Sequence, residues 1–149
     1  MRRIIIAIYG RAREGKSQTI RGVYNRLRQL VTERDVDVLQ DDGDILAIIR
    51  LDGVVIGIES QGDPNSRMIR ERTVRQLALR ECDIILCASR TEGMTVREID
   101  DVGDEFEYNR LWRSSYDAHH YDPPPFEIIN GMAADEIMLV IRALINRQF

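Results

Sequence analysis

Residues 3–9 read RIIIAIY, a short apolar run that ends at Gly10. A strand with one wet face alternates apolar and polar residues; an unbroken apolar run implies burial on both faces. From Ser17 the pattern changes. Ile20, Val23, Leu27, Leu30 and Val31 recur at helical spacing, with Arg21, Arg26 and Arg28 between them. A doubly buried strand that passes through a glycine loop into an amphipathic helix requires a sheet with helices on its faces. Gly22 inside that helix forfeits roughly 1 kcal/mol of propensity relative to Ala, which predicts a close packing contact there.

The rest of the chain continues the alternation. Asp52-Gly53 divides two apolar runs and predicts a hairpin of antiparallel strands at Ile45–Arg50 and Val54–Glu59. Val36–Leu39 reads as an added edge strand before the DDGD turn. Asp63 as cap and Pro64 in the first turn predict a helix running to about Glu81. CDIILCASR reads as another buried strand, and TVRE at 95–98 as the capping box of a helix with Val96, Ile99 and Val102 inward. The aromatic, polar and proline-rich stretch Glu107–Pro125 reads as a long loop or insert. Phe126–Ile129 reads as a last short strand. A helix from Asn130 follows, with Ile137, Val140, Ile141, Leu144 and Ile145 inward. The expectation is a single α/β domain over 1–149, a three-layer sandwich on a mostly parallel, Rossmann-like sheet with one antiparallel edge hairpin strand.

Composition narrows the function classes. The net charge of −4 argues against bulk nucleic-acid binding. The arginine-rich stretch with Arg67, Arg70, Arg72, Arg75 and Arg80 reads as a solvated face paired with Glu71 and Glu81. Cys82 and Cys87 are too few for a disulfide framework, and no zinc spacing exists, because His119 and His120 are adjacent. The N-terminal apolar run is too short for a signal peptide and no segment reaches membrane-spanning length, which predicts a cytoplasmic protein with no membrane partner.

Lys16 is the only lysine among 21 basic residues; the others are arginine. It stands in GRAREGKS, Gly10 to Ser17, the spacing of a phosphate-binding loop. Gly10 and Gly15 let the backbone curl so that N–H groups face phosphate oxygens, and the helix dipole adds to the attraction. A lysine ammonium reaches the β- and γ-phosphates as a point charge, which the planar arginine fork does less well. Ser17 offers a hydroxyl to Mg²⁺. Arg11, Arg13, Glu14 and Gln18 complete the expected nucleotide contacts.

On these residues the chain resembles the P-loop nucleoside triphosphatase superfamily. The resemblance implies ATP or GTP as ligand, Mg²⁺ as cofactor and a carboxylate at the end of an apolar strand, here Glu59, as a metal partner of Ser17 beside the strand that ends at Tyr9. The run Glu59-Ser60-Gln61-Gly62 is similar to the second switch of small GTPases, with Glu in place of Asp. That likeness implies a γ-phosphate contact at the Gly62 N–H, a water held by Gln61 or Asp63, and a loop 60–65 ordered by triphosphate. The guanine-reading Asn-Lys-x-Asp motif is absent. Arg90, after a parallel strand, is expected at the ligand edge as a phosphate clamp and catalytic residue, with Lys16, Glu59 and Asp63. Three functions follow: a Mg²⁺-dependent nucleoside triphosphate hydrolase or switch, a small-molecule or nucleoside kinase whose lid carries Arg110 and Arg113, or a nucleotide-holding module that regulates a protein partner.

Overall fold

The computed structural model describes residues 2–11, 15–118 and 120–148. Strand β1 (Ile4–Tyr9) leads through the glycine loop to helix α1 (Lys16–Arg28). Then come β2 (Val36–Asp41), β3 (Ile45–Leu51) and β4 (Val54–Glu59). The turn Asp52-Gly53 has positive φ at both residues, 52° and 78°, as a two-residue hairpin of matching twist requires. The short helix α2 (Arg67–Arg70), α3 (Thr73–Leu79), β5 (Ile84–Ser89), α4 (Met94–Phe106), β6 (Asn109–Ser114) and α5 (Phe126–Ile145) complete the chain.

The strands form one six-stranded sheet in the order β2-β3-β4-β5-β1-β6. β4, β5, β1 and β6 are parallel, and only β3 runs against its neighbours. The antiparallel strand is therefore one place in from the edge, where β2 covers it. Successive side chains of β1 point to opposite faces, and both faces are covered. Ile4, Ile6 and Ile8 join α1 and α5 in one core; Ile5 and Ala7 join α3 and α4 in the other. This double burial explains the unbroken apolar run, each isoleucine contributing about 1.5–3 kcal/mol. At Gly22 an added methyl would meet Ala134 at 3.1 Å, so the predicted close contact is where α1 crosses α5.

Several local expectations fail for identifiable reasons. The stretch expected as a loop contains β6, an edge strand parallel to β1; its residues are exposed or half-buried, so no apolar run announces it. The residues expected as a strand, 126–129, are the first turn of α5, which continues through Asn130 and Gly131. The single helix expected from Asp63 breaks at Arg72, in the left-handed region at φ 53°, into α2 and α3. The capping box at 95–98 does not form: Gly93 precedes the helix, Thr95 is fully buried and holds the Arg90 N–H, and Glu98 pairs with Arg72. Arg67 is no part of a solvated face, being 3% exposed. None of the described helices is long and apolar enough to cross a membrane.

Candidate functional site

The C-terminal ends of the parallel strands open into a cleft of about 340 Å³. Gly15, Lys16, Ser17 and Gln18 from the start of α1 form one wall; Ser60, Gly62 and Asp63 after β4 form another; Ala88 of β5 and Phe126 of α5 complete it. Gly15 enters the helix at φ 79°, which a side chain rarely tolerates, and the Asn130 amide lies where its Cβ would be. Asn130 also donates to the Gln18 side chain at 2.8 Å and accepts from the Thr19 hydroxyl at 3.4 Å. Helix α5 thus braces the start of α1.

Lys16 is 7% exposed. Its Nζ donates to the carbonyls of Gly10 and Ser89, both at 2.8 Å, and so joins the exit of β1 to that of β5. The Ser17 hydroxyl donates to the Ser60 carbonyl at 3.0 Å. Ser60 is held in turn: its Oγ accepts from the Ile45 N–H and donates to Asp44, each at 2.8 Å. Asp44 belongs to the DDGD turn, which a sequence reading takes only as a bend. That turn is drawn to α1 by Arg21, which donates to Asp41 at 2.6 Å and to the Gly43 carbonyl at 3.3 Å.

Glu59 lies elsewhere than expected. β4 pairs with β5, so β5 stands between it and β1. The Glu59 carboxylate is fully buried and is not part of the cleft. It receives Arg67 in a fork (Nε to Oε2 and Nη2 to Oε1, both 3.0 Å), the Thr73 hydroxyl at 2.6 Å and the Gln61 N–H at 3.0 Å. Its neighbours on that face are those of the α3/α4 core, opposite α1, because strand residues alternate sides. Burial pushes its carboxyl above the ordinary range although Arg67, Thr73 and the Gln61 N–H pull the other way. Arg67 extends the network to Gln40 and Asp42, each at 3.0 Å. The Gln61 side chain is also engaged, accepting from the Arg67 N–H at 3.1 Å, and so ties the segment after β4 to α2.

Gly62 and Asp63 do border the cleft. A Cβ at Gly62 would collide with the Ala88 backbone, so only glycine lets these segments touch. Asp63 is not a helix cap; its carboxylate accepts from Arg90 Nε at 2.7 Å. The backbone of Arg90 is fixed by the Thr95 hydroxyl at 3.0 Å. The two strand-exit candidates Asp63 and Arg90 are thus partners across the mouth. Arg11 is exposed beside Gly10; Arg13, Glu14 and His119 lie outside the described residues. The arginines expected on a lid sit in β6, where Arg113 is held by Glu136 at 2.8 Å and Arg110 by Asp104 at 3.0 Å. Cys82 and Cys87 are both fully buried, with burial pushing the Cys82 thiol up to about 12, so both are inert at neutral pH.

Oxygen acceptors follow one another from Ser17: its hydroxyl meets the Ser60 carbonyl at 3.0 Å, and the Ser60 hydroxyl meets the Asp44 carboxylate at 2.8 Å. That set suits Mg²⁺, which keeps several waters and takes few protein ligands. Among the described residues no cluster of three or more His, Cys, Asp or Glu is placed to hold a metal by itself. No protein-family model matches the chain, and no significant match exists to a curated protein or to a solved structure.

Proposed function

We propose that this chain binds a nucleoside triphosphate with Mg²⁺ in the cleft between α1 and the 60–63 segment, and that it works as a hydrolase or switch. The observation that carries the reading is Lys16: the chain's only lysine, buried at the exit of β1, with its ammonium at the convergence of two strand ends. Burying a charge is expensive and an arginine-rich chain has ready alternatives, so a compact ammonium held there favours an anionic ligand of phosphate type. The Gly10 and Ser89 carbonyls hold it in place, and a phosphate oxygen would compete for its N–H groups. Mg²⁺, when bound, would neutralise charge on the phosphate oxygens beside Ser17.

The pairing of Asp63 with Arg90 gives the switch reading a physical form. Arg90 faces a carboxylate; a γ-phosphate is a more highly charged competitor for the same guanidinium. Transfer of Arg90 to phosphate would release Asp63 and loosen the 60–66 segment that Gln61 ties to Arg67. The kinase reading is less well supported, because the two arginines assigned to a lid lie in β6 and hold carboxylates within the fold.

The test is a thermal-shift series with ATP, GTP and their diphosphates, with and without Mg²⁺, followed by phosphate release. At 100 times Kd a ligand adds about 2.7 kcal/mol, which raises Tm by roughly 5–10 °C in a chain this size. Triphosphate with Mg²⁺ is expected to exceed diphosphate. Asp63→Asn is expected to tighten triphosphate binding while leaving diphosphate binding unchanged. No shift with any nucleotide ends the reading. An Asp63→Asn effect equal for both nucleotides ends the Arg90 exchange and leaves the binding site standing.

A further inference from the structure

A second cavity, of about 450 Å³, lies at the same sheet edge. It opens on the face covered by α4, opposite α1. Tyr9 and Trp112, from the adjacent strands β1 and β6, form its floor; Val96 and Asp100, one turn apart on α4, form a wall, and Thr91 its lip. The two rings meet edge-to-face, with centroids 6.2 Å apart and planes inclined at 67°, so they line a corner. Trp112 is 38% exposed, so part of its surface is open to a ligand.

The charge of this pocket has one sign. Among the described residues the only acid lining it is Asp100, and no lysine or arginine lines it. Among the described residues, the one cationic group near the Asp100 carboxylate is Arg110 Nε at 3.8 Å, beyond hydrogen-bond reach. The rest of the Arg110 fork is committed to the Asp100 main-chain carbonyl at 2.7 Å and to Asp104 at 3.0 Å. Aromatic faces carry negative potential, as does the carboxylate. A phosphate or carboxylate would be repelled here; a cation resting on the rings with its N–H groups toward Asp100 and Thr91 would be held by every polar feature of the site.

We propose that this pocket binds a small organic cation, an amine or guanidinium on an aliphatic body short enough to lie against Tyr9 and Trp112. The site is independent of the nucleotide reading: among the described residues it shares no lining residue with the phosphate cleft, although Tyr9 directly precedes Gly10 and Thr91 directly follows Arg90.

Trp112 is the only tryptophan in the chain, so its fluorescence reports on this pocket alone. The experiment titrates the intact protein with agmatine, with arginine as the same body carrying an added carboxylate, and with the tripeptide Gly-Arg-Gly. Agmatine is expected to give a saturable change, and the carboxylate analogue a far weaker one. Asp100→Asn is expected to bind agmatine about tenfold more weakly, the effect of losing a charged hydrogen bond. Tyr9→Leu, which leaves Asp100 and its partners in place, should weaken it as well. Arg50→Gln, at the opposite end of the sheet on β3 and paired with the exposed Asp37, should leave it unchanged as a control. Thermal melts of each variant show whether the fold is intact. The proposal is overturned by no saturable response to agmatine, by an equal response to the carboxylate analogue, or by undiminished affinity in both folded variants. Tighter binding of the tripeptide than of agmatine would also overturn it, in favour of a protein partner's arginine.

Discussion

Replacing Lys16 by Ala is expected to weaken triphosphate binding by about 10- to 150-fold, the equivalent of roughly 1.5–3 kcal/mol for a hydrogen bond made by a charged group. Diphosphate should lose less and monophosphate least, because the ammonium reaches the β- and γ-groups. Isothermal titration of the three ligands with parent and variant reads this gradient. The same substitution removes the donor from the Gly10 and Ser89 carbonyls, both now bonded at 2.8 Å, so the empty variant should also melt lower. A uniform loss across all three ligands would assign Lys16 to scaffolding alone. Equal ATP and GTP affinities in variant and parent would remove the phosphate-loop reading altogether.

The largest stability effect is expected at the buried pair of Glu59 and Arg67, whose side chains are 0% and 4% exposed. Removing one partner of a buried pair strands the other without solvent and is worth about 3–5 kcal/mol, a large share of the 5–15 kcal/mol that stabilises a typical domain. Glu59→Ala should therefore lower Tm by roughly 6–20 °C. Arg67→Met should do the same at neutral pH, with a telltale pH dependence. Glu59 is already pushed up by burial, and without Arg67 it moves further up. A carboxyl whose folded value lies above its unfolded value of about 4.3 contributes most below that value and loses the contribution as pH rises through the folded one. The deficit of Arg67→Met relative to the parent should accordingly shrink from pH 8 to pH 5. Glu59→Leu combined with Arg67→Met should recover part of the loss, since apolar replacement of both partners leaves no orphaned charge. Chemical denaturation across pH measures all of this. A deficit under about 1 kcal/mol, the range of an exposed pair, would contradict the network.

These two sites divide what local chemistry encodes from what packing decides. The run ending at Tyr9, the turn Asp52-Gly53 and the buried strand before Ser89 were all legible, because burial on both faces and positive φ constrain residue type directly. The same holds for Gly15, whose φ of 79° admits few other residues. The alternation of strand and helix was enough to predict an α/β sheet that is mostly parallel. β6 escaped because an edge strand, half in water, needs no apolar pattern, and Arg110 and Arg113 there look like loop residues until Asp104 and Glu136 come to them across the chain.

Strand order belongs to tertiary structure alone. The spacing of Glu59 after an apolar run is the same whether β4 lies beside β1 or beyond β5, and the arrival of Arg67 from α2 on that carboxylate is decided by packing alone. Asp44, Asn130 and the pairing of Asp63 with Arg90 are likewise contacts between residues far apart in the chain. Sequence determined which segments must be buried and where the backbone must curl, because those demands act within a few residues. Which polar side chains meet depended on how the buried faces stacked, since each such contact forms only after distant segments have come together.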